Sequence, residues 1–397
     1  MTVILNKPGR QPAVRHRRRR LLPPGALLAG LALATAALAA ENRWETHSNL
    51  QSVTDTGTSA WTGTTPFTVL GVLLTDPDEM LDSTPDFIPY TGPDDMFRLG
   101  GQWQVVVQAA LAGDRGGTFL WMGQNYGNHP ANLGEEFSYS NAAWLAEIQR
   151  VSHDPVTGHA FRKGDLVAVT ANRSLFFGGK RNINEAHSIE PDASFHLSLV
   201  MPNYGLPAPE VLSLSSLVRP DDGDPGTPQD IFDPTRASGG EHWQGMRVRL
   251  TSLEMVDSSG WNAAAPWGGR RSRVTDGEGR FFTLRHPRYD LGPAPTASFD
   301  AVGIINQESG SGSQGVTGYE LFLQEILPVE EPALEIAPKT VIAWPASRSN
   351  YQLLSATSVD GPYLPLTNAP VGWDGKHAIL EEPTEAQRSF YRLERIQ

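Results

Sequence analysis

Six arginines fall within residues 267–288, at Arg270, Arg271, Arg273, Arg280, Arg285 and Arg288, against only Asp276 and Glu278. Trp267, Phe281, Phe282 and Tyr289 accompany them. A guanidinium fork bonds carboxylate, sulfate or phosphate through parallel N–H groups, and a flat ring offers a stacking platform to a base or a sugar. If 269–275 and 280–286 are strands joined by Asp276-Gly277-Glu278-Gly279, side chains alternate between faces. Phe282 and Leu284 then point inward, and Phe281, Thr283 and Arg285 outward. Arg271, Arg273 and Thr275 share the outward face, because burying unpaired arginines is costly. The candidate ligand-binding residues are Trp267, Arg271, Arg273, Phe281 and Arg285. The same composition also describes an exposed hairpin whose arginines balance acidic surroundings, and both readings stay open.

Carboxylates gather in two stretches, one with Asp76, Asp78, Glu79, Asp82 and Asp86, the other with Asp221, Asp222, Asp224, Asp230 and Asp233. Calcium wants several oxygens converging from one loop. Neither stretch has the spacing of a calcium loop, and aspartate also caps turns through nearby backbone N–H groups. Solvated turns are the stronger reading, so no cofactor or metal is assigned. Glu185, His187, Glu190 and His196 could ligate a metal, but their irregular separations favour surface polar residues. His153-Asp154-Pro155 reads as a turn. Phosphate-cradling, zinc-protease and nucleophile-elbow motifs are missing, and Ser309-Gly310-Ser311-Gly312-Ser313 reads as a loop. No catalytic residue is assigned.

The elements that must position these groups are short. The 397 residues include 39 Gly, 31 Pro and no Cys, which favours turns and short strands over helices and excludes disulfides and thiolate sites. Apolar runs of strand type at 67–74, 103–111, 118–122 and 166–170, then at 246–253, 280–285, 301–305 and 319–326, are separated by Gly, Pro, Asn and Asp clusters. That is the pattern of an all-β protein. Helical candidates are limited to 141–151 and 209–218. Three strands, a connection and two strands recur in each half, the order of the five-stranded OB-fold barrel, with a Pro- and Gly-rich link at 202–209.

The phrases EHWQGMRVRL, VTDGEGRFFTL, FRKGDLVAVT and GKRNINEAHSI resemble the OB-like modules of exported bacterial proteins, some of which accompany secreted nucleases. Residues 61–327 as a whole, through LLTDPDEMLD, WMGQNYGN, RPDDGDP and GYELFLQEI, resemble an uncharacterised family of exported tandem OB-fold-like proteins of planctomycete- and verrucomicrobia-type bacteria. The resemblance implies a fold and an address, and no activity. Residues 333–397 resemble the small β-sandwich modules that close many secreted proteins of those groups.

The expected organisation is a signal peptide over 1–40, a flexible segment over 41–60 and a first OB-like domain over 61–201. A linker follows at 202–209, then a second OB-like domain over 210–327, a linker at 328–332 and a β-sandwich over 333–397. The signal peptide rests on the basic run at 15–20, the apolar stretch from Ala26 to Ala40 and the small-x-small site Ala37-Leu38-Ala39. Arg18-Arg19-Arg20-Leu21-Leu22 loosely fits twin-arginine export. No second apolar span follows, so a secreted or periplasmic protein without a membrane span is expected. Residues 1–40 carry seven Lys/Arg and no Asp/Glu, so their removal takes the net charge from −12 to −19. That field disfavours long nucleic acid. The expected function is an exported non-catalytic binding or scaffold protein recognising an anionic polysaccharide or cell-envelope component. The alternative is an exported hydrolase of nucleic acid or another phosphoester.

Overall fold

A computed structural model describes residues 43–310, 315–329, 335–337, 341–345, 351–366, 371–373, 377–381 and 390–396. The chain divides into Met1–Trp44 and Glu45–Gln397. The expected signal peptide lies outside the described residues, and everything below concerns Glu45–Gln397. The protein is all-β.

The first sheet contains β1 (Phe67–Leu73), β2 (Gln102–Ala109), β3 (Gly117–Gly123), β4 (Leu166–Ala171), β5 (Ser174–Phe177), β6 (Lys180–Ile183) and β7 (Phe195–Met201), in the order β5-β6-β3-β2-β1-β4-β7. Because only residues 172 and 173 separate β4 from β5, the sheet must curl until its ends meet. β4 and β5 act as one bent strand, pairing β1 with the first half and β6 with the second. β6 and β7 likewise run along that bent strand, interrupted by residues 184–194. Alternation puts Trp103, Val105 and Val107 of β2 and Leu120 and Met122 of β3 inside, around Phe67, Val69 and Val167.

The second sheet contains β8 (Glu210–Leu212), β9 (Arg247–Asp257), β10 (Arg271–Thr275), β11 (Phe281–Arg285), β12 (Phe299–Gln307) and β13 (Tyr319–Pro328). Its order is β10-β11-β13-β12-β9-β8, and the extra β10–β9 pairing closes a five-stranded barrel. β11 pairs with β13 in parallel, as β3 pairs with β6. The two sheets thus share the 1-2-3-5-4 pairing order of an OB-fold. Phe282 and Leu284 fill the second barrel with Val248, Val274 and Leu321.

Among the described residues three short helices occur: α1 (His47–Leu50), α2 (Asn141–Val151) and α3 (Gly239–Trp243). The Ser140 side chain caps α2 by accepting from the Ala143 N–H, and Trp144 is the anchor that α2 buries in the first core. The expected helix at 209–218 is instead β8 followed by a single 3-10 turn.

Residues 41–60 were expected to be loosely docked for want of large apolar groups. The described part is held: Leu50 belongs to the first core. His47 is buried, with Nδ1 2.8 Å from Thr118 Oγ1. The polar side chains His47 and Gln51, which a count of apolar residues passes over, supply this docking, since Gln51 bonds both the N–H and the C=O of Arg181. The 202–209 link is also tied down, with Gly205 N–H donating to Gly164 O and Pro207 O accepting from Arg247.

The barrels are packed on each other. Val106 and Phe119, outward on the first, meet Ile304 and Phe322, outward on the second, with Leu74 and Met80. Beside this cluster the backbones touch: Gly117 N–H donates to Gln244 O, and a Cβ on Gly117 would stand 2.2 Å from Gly245 O. Beyond β13 come β14 (Glu335–Ala337), β15 (Val341–Pro345), β16 (Tyr351–Ala356), β17 (Leu364–Pro365), β18 (Val371–Trp373), β19 (His377–Glu381) and β20 (Phe390–Arg395). They form sheets ordered β14-β15-β19-β18 and β17-β16-β20, which share a core of Ile342, Trp344 and Leu353. Residues 330–332 of the second expected linker lie outside the described residues.

Candidate functional site

The expected strands form, with Arg271 opposite Arg285, Arg273 opposite Thr283 and Thr275 opposite Phe281. Their outward face, however, is not an open arginine-lined platform. Arg285 is fully buried and bonds Glu320 through Nε–Oε1 and Nη2–Oε2, both 2.9 Å. Its Nη1 donates to Trp267 O, and its guanidinium stacks 3.6 Å from the Trp267 ring centre. Arg271 reaches the same carboxylate at 3.2 Å. Arg273 lies over the Phe281 ring at 4.0 Å. The premise that an arginine here would be unpaired fails because Glu320 arrives from β13, a strand that local alternation cannot place beside β11.

Arg280 pairs locally with Asp276 and Glu278, while Arg270 and Arg288 grip the first barrel. Arg270 is buried and donates to Met80 O. Arg288 donates to Leu81 O, and its Nη2 lies 2.6 Å from Asp82. Two clusters that are separate in the sequence, the basic run and the acidic stretch 76–86, therefore meet as a clamp between barrels. Several of the remaining carboxylates cap turns, Asp78 accepting from Ser83 N–H, Asp221 from Gly223 N–H and Asp233 from Thr235 N–H, whereas Glu79 pairs with Lys163 and Asp230 accepts from the distant Gly318 N–H. Among the described residues no group of three or more His, Asp and Glu is placed to hold a metal ion.

A cavity of about 280 Å³ opens instead on the outer face of the first barrel, against the edge of the second. Its floor is set by alternation. Trp103 and Val105 point inward, so Gln102 and Gln104 of β2 point out, and Trp121 of β3 pairs with Gln104. On the other side, Leu175 and Phe177 of β5 sit opposite Asn182 and Lys180 of β6. The long connection between β1 and β2 adds Leu81, Phe97 and Leu99, and the segment interrupting β6 and β7 adds Asn184 and His187. Trp267 and Glu308 come from the second barrel. Of the five candidate ligand-binding residues Trp267 borders this cavity and the other four do not, while His187 of the weighed metal set also borders it.

One wall is aromatic. His129 and His187 stack with ring centres 3.9 Å apart. Phe97 meets His129 edge-on at 5.8 Å, and Trp121 meets His187 at 6.3 Å. Burial, together with the neighbouring His129, pushes the His187 imidazole down to about 4, and burial lowers His129 as well. Both rings are therefore neutral at neutral pH. Phe97 is 64 % exposed although its φ is +67°, and Ala186 and His187 have φ of +47° and +59°. Non-glycine residues take this left-handed conformation only under local compulsion.

The polar lining is mostly carboxamide. Gln104 is nine-tenths buried, and its Oε1 has no hydrogen-bond partner among the described residues. Gln102 Oε1 accepts from Trp121 Nε1 at 3.3 Å. Lys180 is the cation of the lining, and it is engaged: its ammonium donates to Gln307 O and to Glu308 Oε1. Burial raises the Glu308 carboxyl, but Lys180 and Asn306 more than offset this and leave it below its ordinary range.

Beneath His187, Glu185 anchors the interrupting segment. Tyr126 and Tyr139 donate to its two oxygens at 2.8 and 2.6 Å. Burial pushes this carboxyl up to about 7 against the pull of both phenols. Glu185, His187 and His196 do not converge, for His196 sits 3.0 Å from Arg150. Sequence reasoning overlooked Gln102, Gln104, Trp121, Asn182 and Phe97. Strict alternation in Gln102-Trp103-Gln104-Val105 was the available signal, but neutral amides attract less notice than six arginines. No family model, curated protein or solved structure matches the chain.

Proposed function

We propose that the chain is an exported binding protein that holds one uncharged sugar ring of a polysaccharide or envelope glycan in the cavity on the first barrel. One observation carries this reading: the cavity lies on the outer face of β2, β3 and β6, and OB-folds take oligosaccharides and oligonucleotides on the strand 2–3 face and adjoining loops. Its size is at the lower end of the ~300–1,000 Å³ typical of small-molecule sites, which suits a ring rather than a chain. Indole and phenyl faces cover the apolar C–H face of a sugar. Carboxamides offer both donors and acceptors to hydroxyls. Against a nucleotide stands the engagement of Lys180 by Glu308, which leaves a phosphate without a free cation in the lining. The shared pairing order of the two barrels supports their being copies of one module, and the basic and apolar residues 15–40 support export.

Titration of the full chain with a panel of mono- and oligosaccharides, read by tryptophan fluorescence, tests the proposal. Saturable binding should weaken about tenfold or more in Trp267→Ala and in Gln104→Ala, as for central contacts of a small site. Tighter binding of mononucleotides than of any sugar, or saccharide binding indifferent to both substitutions, would overturn it.

A further inference from the structure

A second cavity, of about 480 Å³, lies where α1 and the β2–β3 turn of the first barrel meet residues 234–242 of the second. Arg115, Arg236 and His242 line it with Ser48, Ser52 and Thr235. Its lining has no carboxylate, although the protein as a whole is acidic. We propose that it is an oxyanion site, which takes the carboxylate, sulfate or phosphate group of an anionic ligand, independently of the sugar-ring cavity.

The carboxylates nearby stand behind the cations and aim them. Glu210 accepts from Arg115 Nη2 at 2.7 Å, while Arg115 Nε donates to His242 O. Glu241 accepts from Arg236 Nη1 at 2.9 Å, and Gln51 O takes a second bond from the same nitrogen. Asp114 is occupied by the N–H groups of His47, Ser48 and Arg115. Among the described residues, Arg115 Nη1 and Arg236 Nη2 are left without a partner. Two guanidinium donors that are held in place but not satisfied form a fork for an oxyanion.

Two features of the backbone support a built site. Arg236 has a φ of +59°, a left-handed conformation for a long side chain. Gly116, at φ +89°, makes room for it: a Cβ there would lie 3.0 Å from Arg236 Nη2. Such strain persists only where the surroundings over-determine it. His242 Nδ1 donates to Arg236 O at 2.6 Å, which leaves Nε2 to meet a hydroxyl of the ligand or, when protonated, the anion itself. Glu241, pushed up to about 7 by burial, offsets the Arg236 charge only partly near neutral pH.

Calorimetric titration of the full chain with inorganic phosphate, with sulfate and with glucuronic acid tests the site and separates the sources. At least one should bind saturably, and the tightest identifies the group. Arg115→Gln should weaken it about tenfold, the effect of losing one charge-assisted hydrogen bond. Ser52→Asp, which leaves both arginines and their ion pairs in place, should abolish binding by adding a carboxylate to the lining. Gln104→Ala, on the first barrel and outside the inter-barrel cluster, should leave anion binding unchanged, so failure of the sugar-ring reading would not affect this result. No saturable binding of any of the three probes, or equal affinity in the parent and Ser52→Asp, would overturn the proposal.

Discussion

Arg285 lies flat on Trp267, its guanidinium carbon 3.6 Å from the ring centre and its Nη1 bonded to the tryptophan carbonyl. Trp267 is at once a wall of the ring cavity and a cover for a buried ion pair. Trp267 also packs on the cluster between the barrels, so the cavity wall and the joint share a side chain. Glu320→Gln should destabilise the protein by about 3–5 kcal/mol, because it leaves Arg285 charged, buried and uncompensated. Arg273→Ala, an exposed residue of the same face, should stay within about 1 kcal/mol. Chemical denaturation of both variants checks the contrast.

Gly117→Ala should part the barrels. A Cβ there meets Gly245 backbone at 2.2 Å, where no rotamer can relieve the clash. The expected cost is about 1–3 kcal/mol, as for overpacking. Sugar affinity should fall with it, since Trp267 and Glu308 would withdraw from the cavity. Unchanged thermal stability together with unchanged affinity would show that the close approach carries no load.

Phe97→Gly should weaken sugar binding without lowering stability. Glycine adopts φ near +67° freely, so release of about 1–3 kcal/mol of strain offsets the ~0.5–1 kcal/mol of added unfolded-state entropy. Phe97 is largely exposed, so little packing is lost. Denaturation and titration on one sample separate the two effects.

Stability should respond to pH through Glu185. Between its ordinary value of 4.5 and about 7, the folded chain holds a proton that the unfolded chain has released. Its contribution is thus largest below about 4.5 and is lost as pH rises through 7. Glu241, raised likewise to about 7, adds in the same direction. His187, lowered from 6.5 to about 4, opposes them, its contribution being lost as pH falls through that window. In Glu185→Gln the decline from pH 5 to 8 should flatten, and above pH 7 the variant should be at least as stable as its parent. Denaturant midpoints measured across that range decide the matter.

Much of the barrel architecture was legible because alternation and turn chemistry are local. Phe282 and Leu284 had to face inward once Asp276-Gly277-Glu278-Gly279 made the turn. Where the arginines would find partners was not legible. Glu320 reaches Arg285 only through the parallel pairing of β13 with β11, and Met80 O for Arg270 and Asp82 for Arg288 come near only when one barrel docks on the other. The face that looked best for a ligand is taken up by its own barrel's Glu320 and Trp267, while docking walls the cavity on the equivalent face of the first barrel. The polar hold on residues 47–51 escaped notice for a related reason: buried His47 and Gln51 act through a few long-range hydrogen bonds, which leave no periodic trace.

Residues 184–194 leave the ladder after β6 and rejoin it at β7, both paired along the one bent strand of β4 and β5. Such a segment behaves as a cassette: its two ends are fixed by barrel hydrogen bonds, while its middle, with His187, shapes the cavity. Past Glu185, which Tyr126 and Tyr139 hold in place, residues 186–192 can be exchanged or lengthened without renegotiating strand order or register. A scaffold of this kind separates the problem of folding from that of shaping the cavity, and under the proposed function makes 186–192 the place at which selectivity could be redesigned while the barrel is left alone.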